Sequence, residues 1–542
     1  MEITVVGIGK KNVYSGITGL ELVGELGKGR EILAMKIDNT LCDLKTTIPS
    51  GSVVELIDIS TMEGMRVYRD SAVFLLSATV RKVFPEREMR VEHPLSKGEY
   101  CVITGGVSAD DCRKIERMMK QMVETNLLFE RRRLARREAK ELFVALGIEE
   151  RAQLVDYAIG MDVELYRLGD WWDLAHYPLV PSTGYLNLFK IVHYPPGFIL
   201  LLPDILNPTN LPEFEEQKKL FEIYQEYERW ASILGVRNVV DLNTFVRKGK
   251  LSDLIKIAEA LHEKKVAQIA DEILEAKKRV ILIAGPSSSG KTTFAKRLSI
   301  QMRVNGLRPY ALSMDNYFLD RERTPRTENG EYDFDSIKAL DVELFNKHLA
   351  ELLSGKRVQL PKFNFKKGKR EKGELCHLEP DQPIIIEGIH ALNPIVTEAV
   401  SEDEKLKIYV SALSTLNLDR QNRMHVTDNR LLRRMVRDNL FRGHSAQKTI
   451  ARWPLVRKGE ERFVFPFQED AHVMFNTALV YEFAVLKRYA EGLLRQIEPK
   501  AGEYSEAQRL LHSLSFFLEI SPDEVPPTSI LREFIGGSSF QY

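Results

Sequence analysis

The residues at 285–293 have the types and spacing that nucleotide binding requires. The stretch Gly285-Pro-Ser-Ser-Ser-Gly290-Lys291-Thr292 matches the pattern Gly-x-x-x-x-Gly-Lys-Ser/Thr in full. Its glycines let backbone N–H groups close around phosphate oxygens, Lys291 would reach the β- and γ-phosphates, and the Thr292 hydroxyl would hold Mg²⁺. The alternative is a glycine-rich turn without a role. The pattern predicts binding of ATP and Mg²⁺ through Gly285, Ser287, Ser288, Ser289, Gly290, Lys291, Thr292 and Thr293.

Two acidic residues further along the chain each follow a short apolar run. Asp315 follows 309–314, and Glu387 follows 383–386. In open parallel sheets, side chains at the carboxyl ends of strands face the ligand crevice. We therefore predict that Asp315 accepts a proton from a substrate hydroxyl and that Glu387 holds Mg²⁺ through water. Each acid could instead be a helix cap or a loop residue.

The elements around the glycine-rich stretch are those needed to position it. Val280–Ala284 is β-branched and aliphatic, which is typical of a buried parallel strand. Phe294, Leu298 and Met302 recur at a spacing of four and predict a helix after the loop. Strand, loop and helix are the context in which the motif binds phosphate. With one acid as base and one for the metal, the predicted chemistry is phosphoryl transfer, in which positioning and charge neutralisation dominate.

The composition limits which partners the chain can have. Its 542 residues allow roughly three or four domains. Lys+Arg and Asp+Glu both number 77, so no global field attracts nucleic acid or a membrane. The longest apolar run, 198–203, is too short to cross a bilayer. We predict a cytoplasmic protein without a thiolate zinc site, because no CxxC pair occurs among Cys42, Cys101, Cys112 and Cys376.

The first sixty residues are rich in short strands and turns. Ile3–Val6, Ile32–Ile37 and Val53–Ile57 are predicted strands, and Leu20–Leu26 is a short helical pattern followed by glycine. This mixture predicts a small α+β domain. It resembles the β-grasp TGS domain that stands at the front of threonyl-tRNA synthetases.

Residues 61–200 extend that resemblance. Asp110–Val123 has a helical pattern with Asp110 and Asp111 as N-cap candidates, and Phe129–Phe143 is predicted to form a strongly charged helix. The order of these patterns, followed by GDWWDL, VPSTG and LFK, resembles the editing domain of threonyl-tRNA synthetases. The family's two pairs of catalytic His and Cys residues fall on Arg69 with Val73 and on Ala175 with Leu179. The resemblance therefore implies that the editing chemistry is absent.

An arginine cluster within 131–137 has two interpretations. Five like charges in seven positions would form a patch that could contact RNA. The acids Glu130, Glu138 and Glu141 dilute the patch, and a solvated face has the same pattern. We favour the solvated face over RNA contact for Arg131, Arg132, Arg133, Arg136 and Arg137.

Helical patterns flank the chemical core on both sides. Phe214–Leu234 and Leu251–Lys277 predict a helical bridge packed on the core. Beyond 484, two further helices are predicted, around 485–497 and 510–518. The end, Leu531–Ser538, is too glycine-rich for a helix and could dock as an extended segment.

Six motifs in a fixed order identify a family resemblance over about 279–480. They are GPSSSGKT, LSMDNYF, YDFD, GKRVQLPKFNF with Arg370, IIIEGI, and RRMVRD followed by RG. This order resembles the uridine kinase and phosphoribulokinase family, which transfers the γ-phosphoryl group of ATP to a hydroxyl of a nucleoside or sugar phosphate. The resemblance implies that Asp315 is the general base, with Lys291 also catalytic, and that Glu387 lies on the Mg²⁺ side. It implies that Arg437 and Arg442 are lid residues that close on the ATP phosphates, although a solvated helix face is the alternative.

The resemblance implies an acceptor pocket formed by Phe334, Asp335, Phe363, Phe365, Arg370 and Arg434. The family's base-contacting histidine falls on Gly368, and its glutamine falls on Arg452. A nucleoside is therefore the first candidate for the acceptor, and a sugar, a polyol or a phosphorylated compound is the alternative. An RNA-associated nucleotide-binding protein is a further alternative, and the oligomeric state is open.

Together these patterns predict a multidomain α/β and α+β chain. The predicted parts are a TGS-like β-grasp domain (1–60), a degenerate editing-like α+β domain (61–204), a helical linker (205–278), a uridine kinase-like P-loop domain with a parallel sheet (279–490), and C-terminal helices with a tail (491–542).

Overall fold

The first part of the chain forms a mixed sheet with one helix. The computed structural model describes residues 1–158, 160–205, 207–327, 330–414 and 416–541. The sheet order is β2-β1-β5-β3-β4, with β1 parallel to β5. β3 is buried along its whole length because it packs against two cores. The three predicted strands and the predicted helix are confirmed, with bounds β1 Glu2–Val5, β2 Gly9–Asn12, α1 Gly19–Glu25, β3 Ile32–Ile37, β4 Thr40–Cys42 and β5 Val53–Asp58.

The next part combines a long buried helix with two antiparallel sheets. One sheet has the order β11-β12-β7-β6, and the other has the order β10-β9-β8. The helix α2 lies in the core that they share. The elements are α2 Met62–Val83, β6 Met89–Leu95, β7 Gly98–Ile103, α3 Ala109–Glu124, β8 Glu130–Ala135, α4 Arg136–Ala145, α5 Glu149–Leu154, β9 Asp162–Leu168, β10 Trp171–Leu174, β11 Lys190–Tyr194 and β12 Gly197–Leu201.

Two local predictions for this part were wrong. Ser108, and not Asp110 or Asp111, is the N-cap of α3, because its hydroxyl accepts from the Asp111 N–H while the Asp111 carboxylate reaches back to the Ser108 N–H. Phe129–Phe143 is not one helix. Its first half is β8, which pairs antiparallel with β9, and only its second half is helical. A pairing partner that lies about thirty positions away overrides the local helical pattern.

Three helices connect this part to the next. They are α6 Lys218–Leu234, α7 Val239–Arg247 and α8 Leu251–Glu275. The two predicted helices are confirmed, and α7 between them was missed. Val266, Ile269 and Ile273 of α8 pack in the same core as the parallel sheet that follows. The helical bridge is therefore part of the packing that supports that sheet.

A five-stranded parallel sheet forms the centre of the remaining chain. Its order is β14-β17-β13-β18-β19, and β13 is buried completely. A hairpin of β15 and β16 stands apart from it. The elements are β13 Val280–Ala284, α9 Lys291–Val304, β14 Tyr310–Ser313, α10 Val342–Leu353, β15 Val358–Asn364, β16 Lys369–Cys376, β17 Ile384–Glu387, β18 Lys405–Ser411, α11 Val426–Arg442, α12 Ala446–Phe463 and β19 Val473–Asn476.

The chain ends in two longer helices and a short one. Their bounds are α13 Glu482–Arg495, α14 Tyr504–Ser515 and α15 Arg532–Ile535. The two predicted C-terminal helices are confirmed. The prediction that 531–538 contains no helix was wrong, because buried Phe534 anchors a single turn before Gly536 adopts φ 85° and ends it.

A buried ion-pair network joins the front of the chain to its end. Arg66 of α2 binds both oxygens of Glu506, at 2.5 and 3.1 Å, and Arg509 binds both oxygens of Asp428 at 2.7 Å. Glu506 and Arg509 lie in α14, whereas Asp428 lies in α11. Three helices that are distant in sequence are thereby linked.

Among the described helices, none combines the length and the apolar content that crossing a bilayer requires.

Candidate active site

The phosphate-binding motif forms a loop between β13 and α9. Gly290 has φ 84°, and a Cβ atom on Gly285 would lie 1.9 Å from the carbonyl oxygen of Val410, so both positions require glycine. The Lys291 Nζ donates to the carbonyl oxygens of Gly285 and Pro286, at 2.9 and 3.1 Å. The lysine is therefore folded back over its own loop.

Glu387 reaches the motif from the end of the neighbouring strand β17. Its Oε2 lies 3.4 Å from the Thr292 Oγ1, and its Oε1 accepts from the Ser313 hydroxyl at 3.0 Å. The register of the parallel sheet explains this, because Glu387 stands beside Ser313 on one side and Ile283 on the other. The carboxyl ends of three adjacent strands thus bring these side chains to one edge.

Asp315 lies at the same edge, in the turn that follows β14. Burial raises its pKa, and the positive charges of Lys291, Arg442 and Arg437 oppose that shift. Burial, followed by the charge of Asp315, raises the pKa of Glu387 to about 7. Burial lowers the pKa of Lys291, while Glu387 and Asp315 act to raise it. The two acids and the lysine therefore form one coupled electrostatic group.

The oxygen atoms at this edge fit a divalent cation. The Thr292 hydroxyl and the Glu387 carboxylate are hard oxygen donors, of the kind that Mg²⁺ prefers. A divalent cation would also offset the repulsion between Glu387 and Asp315. Thr292 and Glu387 are the residues that would hold it, directly or through water.

The helix α11 lies over the loop with its row of arginines. Arg434 donates from Nη1 to the Ser287 hydroxyl at 2.7 Å. The carboxylate of buried Asp438 forms ion pairs with Arg434, Arg437 and Arg442, at 3.4, 3.3 and 3.2 Å. These guanidinium groups thus lie together beside the phosphate loop.

Sequence patterns missed a buried acid that contacts the loop backbone. Glu460 of α12 accepts from the Ser287 N–H at 2.9 Å and forms a two-point ion pair with Arg430, at 2.5 and 2.8 Å. Arg430 also donates to the Ser287 carbonyl at 3.2 Å. This pair therefore fixes the first half of the loop. No local signal could have found Glu460, since it lies 173 positions from its partner.

Asp335 lies between α11 and α12, against Gly459. A Cβ atom on that glycine would be 2.6 Å from the Cβ of Asp335, so the helix approaches closely only because residue 459 is glycine. Burial raises the pKa of Asp335 to about 6, against the charges of Arg434 and Arg452. The structure therefore brings two predicted acceptor-site residues, Asp335 and Arg434, into one electrostatic group.

Of the four remaining predicted acceptor residues, three lie in the β15–β16 hairpin and one does not. Phe363 and Phe365 of the β15–β16 hairpin lie 5.1 Å apart, in an aromatic cluster with Phe318. Arg370 donates to Asp341 at 2.8 Å. Phe334 instead packs against Tyr332, with centroids 5.8 Å apart.

His390 was not predicted as a site residue. It lies three positions beyond Glu387, is fully buried, and has a pKa lowered to about 4 by burial, with Lys291 adding to the effect. The backbone of Asp335 acts in the opposite direction. The pKa of His390 is therefore influenced both by Asp335 and by Lys291. The sequence feature that could have indicated His390 as a site residue is its position after the strand that ends in Glu387.

The part of the chain that forms this site is similar to a known protein family. Residues 280–482 match the Phosphoribulokinase / Uridine kinase family. The match begins at β13 and ends at the start of α13. It supports a P-loop kinase, and the family implies ATP and a divalent metal as its partners in the reaction.

Solved structures resemble part of the chain weakly. A possible uridine kinase from Bacillus stearothermophilus is 20% identical, with a TM-score of 0.28, over 39% of this chain and 98% of its own. D-glycerate 3-kinase from Cryptococcus neoformans var. grubii is 15% identical, with a TM-score of 0.22, over 48% of this chain and 89% of its own.

The front half matches a different group of proteins. Threonine–tRNA ligase of Acidithiobacillus ferrooxidans is 33% identical over 181 residues, which are 32% of this chain and 28% of the ligase. Threonine–tRNA ligase of Oceanobacillus iheyensis is 31% identical over 189 residues, which are 34% of this chain and 29% of the ligase. The chain therefore spans less than a third of the length of these relatives.

Three of the four residues that sequence analysis placed at the expected editing positions line a cavity in this structure. They are Arg69, Val73 and Leu179. Arg423 and His425, from the later part of the chain, also line it, and the Arg69 Nη2 lies 2.7 Å from the His425 Nε2. In the described part of the chain no group of three or more His, Cys, Asp or Glu side chains is arranged to hold a metal.

Proposed function

We propose that the kinase region transfers the γ-phosphoryl group of ATP to a hydroxyl of a small molecule, with Mg²⁺. The observation that carries this proposal is the convergence of Lys291, Thr292, Asp315 and Glu387 at one edge of the parallel sheet. A nucleotide switch would use the loop and one carboxylate on the metal side, but it would not need a second carboxylate that accepts a proton from a substrate hydroxyl. Phosphoryl transfer to a hydroxyl uses both carboxylates.

In the proposed reaction the acceptor hydroxyl donates its proton to Asp315 as its oxygen bonds to the γ-phosphorus. The bond between that phosphorus and the β,γ-bridging oxygen breaks, and ADP leaves. Lys291, Arg437 and Arg442 offset charge on the phosphoryl oxygens, with arginine suited by its planar fork. Thr292 and Glu387 would hold Mg²⁺, which would supply further charge neutralisation. Glu460 and Arg430 keep the loop in place.

We propose a nucleoside as the acceptor. Asp335 supports this, because a carboxylate beside Arg434 can accept hydrogen bonds from ribose hydroxyls. Its raised pKa reflects a site shielded from water. The aromatic cluster of Phe318, Phe363 and Phe365 offers a surface on which a base could stack.

A sugar, a polyol or a phosphorylated acceptor is the second candidate. The base-contacting position is Gly368, with φ 66°, and the Arg321 side chain packs on it, 2.7 Å from the place of a Cβ atom. Arg452 adds charge on the other side, near Asp335. Guanidinium groups at both base-contacting positions favour an acceptor that carries an anionic group over one that carries a neutral base.

For the front half we propose a supporting role, with RNA contact as the alternative. The arginine cluster is largely neutralised, since Arg131 pairs with Asp43 at 3.2 Å, Arg133 with Asp162 at 3.0 Å and Arg137 with Glu141 at 2.8 Å. Residues of the kinase region, Arg423 and His425, also line the cavity that contains Arg69 and Val73. Four free thiols are consistent with our proposal of a cytoplasmic protein.

The proposed activity is tested by measuring ADP release with ATP, Mg²⁺ and a panel of nucleosides, sugars, polyols and sugar phosphates. We expect one class to stimulate release. Lys291→Ala should abolish the stimulation, because both phosphate binding and charge neutralisation are lost. Lys248→Ala, at an exposed position after α7, is the control. Stimulation that survives in Lys291→Ala would exclude this site as its source.

A further inference from the structure

The segment 530–536, near the end of the chain, lies against the phosphate loop. Ile530 and Phe534 are both 0% exposed, in the core that also contains Phe294 of α9. A Cβ atom on Gly290 would lie 2.5 Å from the Cγ2 of Ile530, so this segment touches the loop glycine itself. The short helix α15 is therefore docked beside the first turn of α9.

Within this docked segment, Glu533 directs its carboxylate at the amino end of α9. Its Oε2 accepts from the Thr293 hydroxyl at 2.6 Å and from the Thr293 N–H at 3.2 Å. Thr293 directly follows Lys291 and Thr292, and backbone N–H groups of such loops cradle the α- and β-phosphates of a bound nucleotide. The carboxylate thus occupies donors that a nucleotide phosphate would use.

The same carboxylate adds negative charge to the nucleotide site. For two residues near Glu533, burial has the largest effect on the pKa: it lowers the pKa of Lys291 and raises that of Glu387. The charge of Glu533 acts to raise the pKa of both. Burial lowers the pKa of Arg442, and the charge of Glu533 is among those that act to raise it. A triphosphate that entered here would therefore meet a like charge at short range.

The helix α11 holds α15 from the other side. The guanidinium carbons of Arg433 and Arg437 lie 5.0 and 6.0 Å from the centre of the Phe534 ring. The Cζ of Phe441 is 3.6 Å from the place of a Cβ atom on Gly536. The helix that carries the proposed lid arginines is thus in contact with the chain end.

We propose that α15 is an autoinhibitory element in which Glu533 takes the place of a nucleotide phosphate on Thr293. Nucleotide binding must then displace Glu533. Displacement would also separate Arg437 from Phe534, so the arrival of nucleotide is coupled to the position of α11. This inference rests on the proposed function, because it requires a nucleotide at the phosphate loop.

The test compares nucleotide affinity in the full-length protein and in Glu533→Gln. This change keeps the size of the side chain and removes its charge. We expect ADP and ATP to bind about tenfold tighter, on the scale of one charge-assisted hydrogen bond. Adenosine, which has no phosphate, should bind equally to both. Glu524→Gln, at an exposed position in the same segment, is the matched control and should match wild type.

The outcomes separate this inference from the proposed function. If wild type binds ATP and Glu533→Gln binds it no tighter, the autoinhibitory role is wrong while the kinase proposal stands. Tighter binding of adenosine as well would also contradict it, because competition with a phosphate cannot act on adenosine. If no variant binds ATP, the proposed function itself fails.

Hydrogen exchange on wild type gives a second test that needs no variant. We expect amide exchange in residues 529–541 to become faster when ADP is added, because displacement exposes the segment. Slower exchange would mean that α15 forms a fixed wall of the nucleotide site, and the inference would be wrong.

Discussion

The Thr292 hydroxyl and the Glu387 carboxylate lie 3.4 Å apart, although 95 positions separate them in the chain. One residue stands in the first turn of α9, and the other ends β17. Two oxygen donors at this distance from one another can share a hard cation or its water shell. The relationship therefore connects the phosphate loop to the proposed metal.

Glu387→Gln should raise the Mg²⁺ concentration needed for half-maximal activity. We expect an increase of about 10- to 100-fold, the scale on which weakened metal ligation acts. Titration of ADP release with Mg²⁺ at saturating ATP gives the measurement. Glu379→Gln, an exposed acid that precedes the same strand, is the control. An unchanged Mg²⁺ requirement would place the metal elsewhere.

Asp315→Asn should remove the proposed base and leave nucleotide binding intact. We expect turnover to fall by about 10²- to 10⁴-fold, with the Kd for ATP changed little. Single-turnover kinetics and calorimetry separate the two effects. Asp381→Asn, in the exposed turn before β17, should retain full activity. Full turnover by Asp315→Asn would mean that another group takes the proton.

Asp335→Asn should act on the acceptor and not on ATP. The KM for the acceptor should rise about tenfold or more, because a charged hydrogen-bond acceptor is lost. The KM for ATP should stay near that of wild type. Asp333→Asn is a close control, since its side chain caps the Ser336 N–H at 3.1 Å and Asn can do the same. A selective rise in the KM for ATP would contradict our placement of the acceptor.

Stability should depend on pH through the buried network that joins the two ends of the chain. Burial acts to raise the pKa of Glu506, but Arg509 and Arg66 outweigh it and hold the pKa below its usual value. A lowered pKa in the folded state means that the stabilisation is complete above the unfolded pKa of about 4.3 and is lost as the pH falls below it.

Glu506→Gln makes this pH dependence measurable. At pH 7 we expect it to lower the free energy of unfolding by about 3–5 kcal/mol, because it leaves buried Arg66 without its carboxylate partner, whereas Arg509 keeps Asp428. The difference from wild type should shrink as the pH drops below about 4. Denaturant titrations across pH test this, with Glu498→Gln at an exposed position as the control. A difference that stays constant with pH would exclude a charged Glu506.

The front half should not hydrolyse seryl-tRNA, even with added Zn²⁺. Arg69, Val73, Ala175 and Leu179 are the residues that the resemblance predicts at the four editing positions. None of the four can act as a metal ligand or proton shuttle at neutral pH. A deacylation assay, with an editing-competent threonyl-tRNA synthetase as the positive control, checks this. Hydrolysis above the uncatalysed rate would contradict the expectation.

The phosphate loop and its neighbours were predictable because their signals are local. A buried run, a glycine pattern and a helical period lie within 280–302. The run was confirmed as β13 and the helical period as α9, and the glycine pattern lies in the loop between them. The strands before Asp315 and Glu387 were also found from short apolar runs. Whether these strands are neighbours depends on the order of the strands in the sheet. That part of the prediction came from the family resemblance.

The missed features depend on distant partners. β8 forms from an arginine-rich segment with a helical pattern because β9 is available to pair with it. Glu460 and Glu533 join the site from α12 and from the chain end, 173 and 240 positions away from the residues they contact. A period or motif describes neighbours in sequence, so it has no information about such contacts.

The pair of Arg66 with Glu506 bears on how such a chain can be inherited. Arg66 lies in the front half of the chain, and Glu506 lies in α14, beyond the residues that match the kinase family. Glu506 would keep Arg509 as a partner without Arg66, but Arg66 has no second carboxylate among its described ion pairs. A recombination event that transferred the front segment without the C-terminal helices would therefore leave the Arg66 charge without its carboxylate partner. Descendants that retain this pair are therefore expected to keep both segments in a single gene.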